Sequence, residues 1–394
     1  MPNFYNYTEN GIVYSFDDVF VPAEAFRQGN LFNWGTNTFG NIGDNTVIQR
    51  SIPVTTFSGG ANWKQVSTGQ YHTTAIKTDG TLWGWGTGTQ GQLGDNATVN
   101  RSTPVTTFAG GTNWKQVACG GNHTVAIKTD GTIWGWGRNY NGQLGDNTIS
   151  QRNTPVTTFV GGTNWKQVAC SSYFSISSTS AIKTDGTLWV WGSNINGQLG
   201  DNTTTQRITP VTTFLGGTNW KQVACGFFHT TAIKTDGTLW TWGRNIEGQL
   251  GDNTVTQKNT AVTTFAGGNN WKQVASGGYS NAAIKTDGTL WTWGRNNTGQ
   301  LGDNTSGINR STPVTTFAGG TNWKLVGTSY ATISVKTDGT LWVWGANNSA
   351  QLGINNTASP ICTPVTTFAG GTNWRQGTSG QGSSVVITYI DDYQ

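Results

Sequence analysis

Residues 113–162 read NWKQVACGGNHTVAIKTDGTIWGWGRNYNGQLGDNTISQRNTPVTTFVGG, and this stretch decides the fold. Lys115–Ala118 and His123–Lys128 read as strands, rich in small and β-branched residues. Thr129-Asp130-Gly131 reads as the turn between two strands, because Asp-Gly supplies the positive φ that a tight connection needs. Thr132–Trp136 is then a third strand, and the Gly- and Asn-rich Asn139–Thr148 a loop. Pro155–Phe159 reads as a short fourth strand, which accepts proline if it lies at a sheet edge.

The stretch recurs. Tryptophans of Trp-Gly pairs stand at 34, 85, 136, 191, 242, 293 and 344, and those of Asn-Trp pairs at 63, 114, 165, 220, 271, 323 and 374. A third set stands at 83, 134, 189, 240, 291 and 342, with Phe32 in the missing place, and these sets account for all 20 tryptophans. Four short strands per repeat, seven times over, predict an all-β, seven-bladed β-propeller of four-stranded antiparallel blades, with Trp and Phe filling the gaps between blades. The last repeat stops after Ser383–Ile390, in the second-strand place, while Gly29–Gly35 carries a third-strand sequence. The closing blade is therefore expected to mix both ends of the chain, which removes an open edge. Residues 25–394 are read as the propeller and 1–24 as an aromatic-rich extension.

Composition narrows the class. Hydrophobic residues make up 34% of the 394, charged residues only 11%, and the net charge is +4. This excludes coiled coil and disorder, and it gives no basis for nucleic-acid binding. No secretory leader and no membrane-length apolar run is visible, and the four cysteines make no disulfide framework.

The GQLG-centred loop after Trp-Gly, the repeat period and the Gly-x-x-His-Thr strand resemble the regulator of chromosome condensation repeat family, over about residues 26–390. The resemblance implies a seven-bladed propeller. The near-verbatim wording of the copies (FAGGTNWKQVACG, AIKTDGTLWTWG) is similar to repeat proteins of bacteria and their tailed phages, more than to the eukaryotic nuclear member.

Charge is spread evenly round the repeats. Of the 23 basic residues, six are hairpin lysines of Lys-Thr-Asp-Gly, seven follow Asn-Trp (Lys64 to Arg375) and six end the Gly-Asp-Asn loop (Arg50 to Arg310). Twelve of the 19 acids are hairpin or Gly-Asp-Asn aspartates. An active site needs unlike groups at one point, so this pattern argues for no enzyme, no cofactor and no metal. His72, His123 and His229 occupy equivalent positions and are read as packing or hydrogen-bonding residues; Cys119, Cys170 and Cys225 share a position filled elsewhere by Ser or Thr. Each Gly-Asp-Asn loop offers a single carboxylate, too few for calcium. Gly86–Gly91 matches a dinucleotide-binding pattern by accident, with no helix expected after it.

Function is then expected where the copies differ. The tips after Trp-Gly and the turns before the second strand carry Tyr71, Tyr140, Phe228, Tyr279, Arg138, Arg244 and Arg295, residue types that anchor partners. Repeat three has the one sizeable insertion, within Ser171–Ser180. Phe4, Tyr5, Tyr7, Tyr14 and Phe16 make the extension an expected attachment arm or cap, with Gly11–Phe16 a candidate strand. The expectation is a binding module, foremost a virion component (tail fibre, baseplate or head surface) docked through residues 1–24, with a glycan or host-surface ligand on its loops. It would be made in the cytoplasm and would neither bind nucleic acid nor insert in a membrane. The alternatives are an intracellular regulator resembling the family's GTPase exchange factors, or a protein inhibitor on the same fold.

Overall fold

The computed structural model describes residues 7–9, 12–14, 29–58 and 60–388. Seven four-stranded antiparallel sheets form the ring. In blade two, Trp114–Cys119, His123–Lys128, Ile133–Gly137 and Arg152–Thr157 lie side by side in chain order. The fourth strand begins three residues before the expected place: Gly137 pairs with Arg152 after a register shift. Pro155 costs it no ladder bond, because this strand is the blade's outer edge. The first strands of successive blades touch one another around the axis.

Blade seven closes the circle as expected. Trp374–Ser379 and Ser383–Thr388 come from the end of the chain, and Leu31–Gly35 and Arg50–Thr55 from near its start. Leu31 faces Ile387 and Gly35 faces Ser383. Gly29, expected in this strand, instead bridges Trp63 of blade one. The candidate strand in the extension is Ile12–Tyr14, and its partner is Tyr7–Glu9 rather than a blade.

Three layers of hydrogen bonds join blades one to six in turn, and the outer two recur at every seam. At the axis, the Gln116 side chain donates to the carbonyl of Val168 (3.2 Å) and accepts from the Val168 N–H (3.1 Å). In the middle, the carbonyl of Gln92, in the GQLG loop, accepts from Trp136 Nε1 at 2.9 Å and Thr124 Oγ1 at 2.8 Å, both one blade on. Farther out, Asn96 holds a left-handed φ of 62° and its N–H donates to the Asn153 carbonyl at 3.1 Å. The second Gly of GQLG follows from this geometry. Gly94 has a φ of +70°, and a Cβ there would fall 2.7 Å from Trp136 Nε1.

Between these layers lie the tryptophans. Trp114 meets Trp136 edge-on at 6.0 Å and Trp134 at 6.5 Å, and Lys128 Nζ stands 4.8 Å and 4.6 Å over Trp114 and Trp134. Trp114 and Trp136 are buried. At about 25 cal/mol per Å², each buried indole contributes roughly 4–6 kcal/mol before entropy.

The first strands enclose an axial cavity of about 260 Å³. Gln65, Gln116, Gln167, Gln222, Gln273 and Gln376 line it, with Leu325 in the seventh place, together with a ring of Ser, Thr and Cys. At the end where these strands begin stand seven cations: Lys64, Lys115, Lys166, Lys221, Lys272, Lys324 and Arg375.

Candidate functional site: the loop face

Antiparallel pairing puts the two variable regions on one face. The second strand starts where the third ends, as His123 opposite Gly137 shows. The turns before the second strand and the tips after Trp-Gly therefore share the end of the channel opposite the seven cations. Their side chains touch. Phe39 of one tip packs edge-on against Tyr71 of one turn at 5.2 Å. The Arg138 guanidinium lies 4.7 Å over the Tyr140 ring and 5.7 Å over Phe174, which belongs to the turn of the next blade.

An aromatic hub forms across the axis. Phe227, in the blade-four turn, is fully buried. It meets Tyr173 at 5.2 Å, Tyr279 at 5.3 Å and Tyr330 at 5.9 Å, from blades three, five and six. On the other side, Gln381 of blade seven donates to the Ser172 carbonyl at 3.4 Å and accepts from Gln70 Nε2 at 3.0 Å. The inserted turn of repeat three thus reaches across the ring, and this end of the cavity is capped. Phe227 is one of the variable-turn aromatics that the sequence offers, whereas nothing in the sequence singles out Gln381. The signal for Phe227 is the doubled aromatic Phe227-Phe228, matched among the repeats by Tyr173-Phe174 of repeat three, where the others carry one or none.

The structure sorts the expected contact residues. Phe228 is 6% exposed, wedged between Tyr173 at 4.6 Å and Tyr279 at 5.9 Å, so it supports the face rather than presenting itself. Tyr279 is half-buried, with Arg244 and Arg295 each 5.3 Å from its ring. Arg244 also pairs with Glu247 at 2.9 Å, which holds the Glu247 carboxyl down against the opposing effect of burial. Tyr71 is half-buried. Tyr140 and Phe174, with Arg138 between them, are 53% and 50% exposed. Ile195 and Ile246 extend the same rim. Phe4, Tyr5 and Phe16 lie outside the described residues, while Tyr7 and Tyr14 stand opposite each other in the two-stranded sheet.

The titratable residues are framework. His123 Nε2 lies 3.1 Å from Thr179 Oγ1 of the next blade, and His72 Nε2 3.0 Å from Thr124. Burial pushes both imidazoles down to about 3 and His229 to about 4, so all three are neutral. Gly120 makes room for one ring, since a Cβ there would lie 2.0 Å from His123 Cε1. Burial pushes the Cys119 and Cys225 thiols up to about 11, far from a nucleophile's range. Five loop aspartates are engaged by arginine, as in Asp146–Arg152 at 2.8 Å. Among the described residues, no three His, Cys, Asp or Glu side chains gather as metal ligands.

Comparison with known proteins agrees with this geometry. A model of the RCC1-like domain matches residues 25–329, and one of the regulator of chromosome condensation (RCC1) repeat matches 338–387. The Ultraviolet-B receptor UVR8 of Arabidopsis thaliana is 31% identical over 349 residues, 84% of this chain and 76% of that protein. The X-linked retinitis pigmentosa GTPase regulator homolog of Caenorhabditis elegans is 29% identical over 335 residues, 73% of this chain but 24% of that protein. Yeast RCC1 (Prp20), in its crystal structure with Kap60, superposes with a TM-score of 0.79 at 18% identity, covering 99% of this chain and 97% of that one. Human WBSCR16 superposes with a TM-score of 0.78 at 21% identity, covering 92% and 100%. At these identities the superpositions speak for the fold alone. These relatives are plant, animal and yeast proteins, and they lend the bacterial and tailed-phage likeness no support.

Proposed function

The chain belongs to the regulator of chromosome condensation (RCC1) repeat family, and on that premise we propose that it is a non-enzymatic, protein-binding propeller of the regulator kind, holding its partner on the loop face. The observation that carries this reading is the patch of Arg138, Tyr140 and Phe174. It puts two half-exposed aromatic rings and a guanidinium on a rigid, capped end of the ring. Aromatic and arginine side chains supply most of the energy at protein interfaces, above all when their conformation is fixed before binding. Tyr71, Tyr279, Arg244 and Arg295 would form the inner part of the contact, with Phe228 beneath them.

The names of the relatives point the same way, since they include a receptor and a GTPase regulator homolog, though the chain spans only a quarter of the latter. A photo-crosslinking amino acid at Tyr140 or Ile246 should capture the partner, while the same residue at Phe108, beyond the end of an outer strand, should not. Equal capture at Phe108 would refute the assignment. GTPase exchange is one form of this reading, tested by nucleotide release. A virion component is another, favoured by the near-identical wording of the repeats and by the aromatic extension, with residues 1–24 as an attachment arm. Mass spectrometry of purified particles tests it.

A further inference from the structure

Each blade ends in an outer strand whose far side is a sheet edge. Six of the seven outer strands carry a proline at one position: Pro53, Pro104, Pro155, Pro210, Pro313 and Pro364. Proline offers no N–H to a further strand and so keeps such an edge from pairing. Blade four is the exception: its outer strand, Lys258–Thr263, reads KNTAVT, with Ala261 in the proline place. Ala261 packs against the cluster around Trp242, so the strand keeps its seat without proline. Alternation decides which backbone groups face out. Thr264 donates its N–H inward to the Leu239 carbonyl at 3.4 Å, and Val262 stands opposite Thr241. With the two-residue period of a strand, Ala261 and Thr263 turn their N–H and C=O groups away from the sheet. The carbonyl of Asn259, next in that row, already accepts from the Asn202 N–H at 3.0 Å. The open stretch is therefore Ala261 to Thr263. Exposed apolar residues flank it, Val255 at 61% and Phe265 at 66%.

We propose that this edge is a dimer interface, where blade four pairs with blade four of a second copy. In an antiparallel pair with Ala261 of each copy opposite Thr263 of the other, both residues exchange both of their N–H···O bonds, which uses the open groups of the two edges in full. A two-fold axis beside Val262 relates the copies, so one patch serves both partners. The two Lys258 side chains stand at opposite ends of the pair, and no like charges meet. The Phe265 end of each strand comes to the Val255 end of the other, so exposed apolar residues gather at both ends of the contact. In the other six blades proline removes the donor on which the pairing depends, and assembly therefore stops at two chains.

Sedimentation velocity of the full chain over about a hundredfold range of concentration tests the interface. We expect a monomer–dimer equilibrium with no larger species, and slower hydrogen exchange at the Ala261 and Thr263 amides as the dimer forms. Ala261→Pro installs the residue that six sibling strands accept, so the chain should fold while the dimer weakens roughly tenfold or more. Phe265→Ser should weaken it about fivefold or more. Phe108→Ser, the same change at the equivalent place of blade one, should leave the dimer unchanged within about twofold, since that residue lies outside the contact. Thermal melts show whether each variant is folded. A wild type that stays monomeric, a dimer that survives Ala261→Pro and Phe265→Ser undiminished, or an equal loss from Phe108→Ser would each overturn the proposal. None of these outcomes bears on the loop face.

Discussion

The indole N–H of Trp34 donates to the backbone carbonyl of Gln351, 2.9 Å away and 317 residues along the chain. It is the same bond that Trp136 makes to Gln92 inside the ring, so the closing seam is built like any other. Trp34→Phe keeps the ring and removes the donor, and should cost about 1 kcal/mol, as should Trp136→Phe. Gly353→Ala should cost more, about 2–3 kcal/mol, because its φ is +64° and a Cβ would fall 2.9 Å from Trp34 Nε1. Urea unfolding of the three variants checks the order.

The buried histidines set a pH dependence. An unfolded histidine takes a proton near pH 6.5, while His72 and His123 resist it until about 3. Between those values the unfolded chain holds more protons, so stability falls as pH drops below 6.5, by about 1 kcal/mol per histidine and pH unit. Replacing His72, His123 and His229 with serine, which stands at the equivalent position of blade three as Ser178, should flatten this slope between pH 6.5 and 5. Denaturant midpoints across that range decide it; an unchanged slope would count against burial as the cause.

One blade replaces an ion pair with an apolar pair. Where Asp303 and Arg310 meet at 2.7 Å, the next loop has Ile354 and Ile361, both against the cluster around Trp34 and Val343. Ile354→Asp alone should cost about 2 kcal/mol, because the carboxylate has no arginine to meet. Adding Ile361→Arg should return about 1 kcal/mol. A double-mutant cycle measures the coupling.

Leu325 breaks the ladder of glutamines at the axis. Gln273 donates to the Val326 carbonyl at the preceding seam, but the seam between blades six and seven has leucine in that place. Leu325→Gln should stabilise the ring by about 1 kcal/mol if it completes the ladder, and amide hydrogen exchange should show slower opening of blade seven.

The repeat was legible because each blade needs the same residues for the same contacts. Trp136, Gly94 and Asn96 are fixed by one geometry, and seven copies make it visible. Ring closure was legible for the same reason: Ser383 begins a second strand that has no third after it, and Leu31 begins a third that has no second before it. The loop face was only half legible. The tips vary from copy to copy, so Tyr140 is visible as an aromatic its siblings lack, and Arg138 as an arginine shared only with Arg244 and Arg295. Nothing local says that Phe227 is buried by rings from three other blades, or that Gln381 meets Ser172 across 209 residues. Such contacts depend on which strand lies innermost, and a one-dimensional period is silent on that. The fourth strand starts at Arg152, three residues before Pro155, because a register shift after Gly135 carries the pairing on to Gly137, and no local pattern marks that shift.

The most direct test of the loop face as the binding surface is the affinity of a purified partner for the intact chain and for the triple variant Arg138→Ala, Tyr140→Ala, Phe174→Ala. Loss of at least about a hundredfold, with an unchanged melting temperature and with Phe108→Ser still at wild-type affinity, is the predicted result. Wild-type affinity in the triple variant, or a comparable loss from Phe108→Ser, would contradict it.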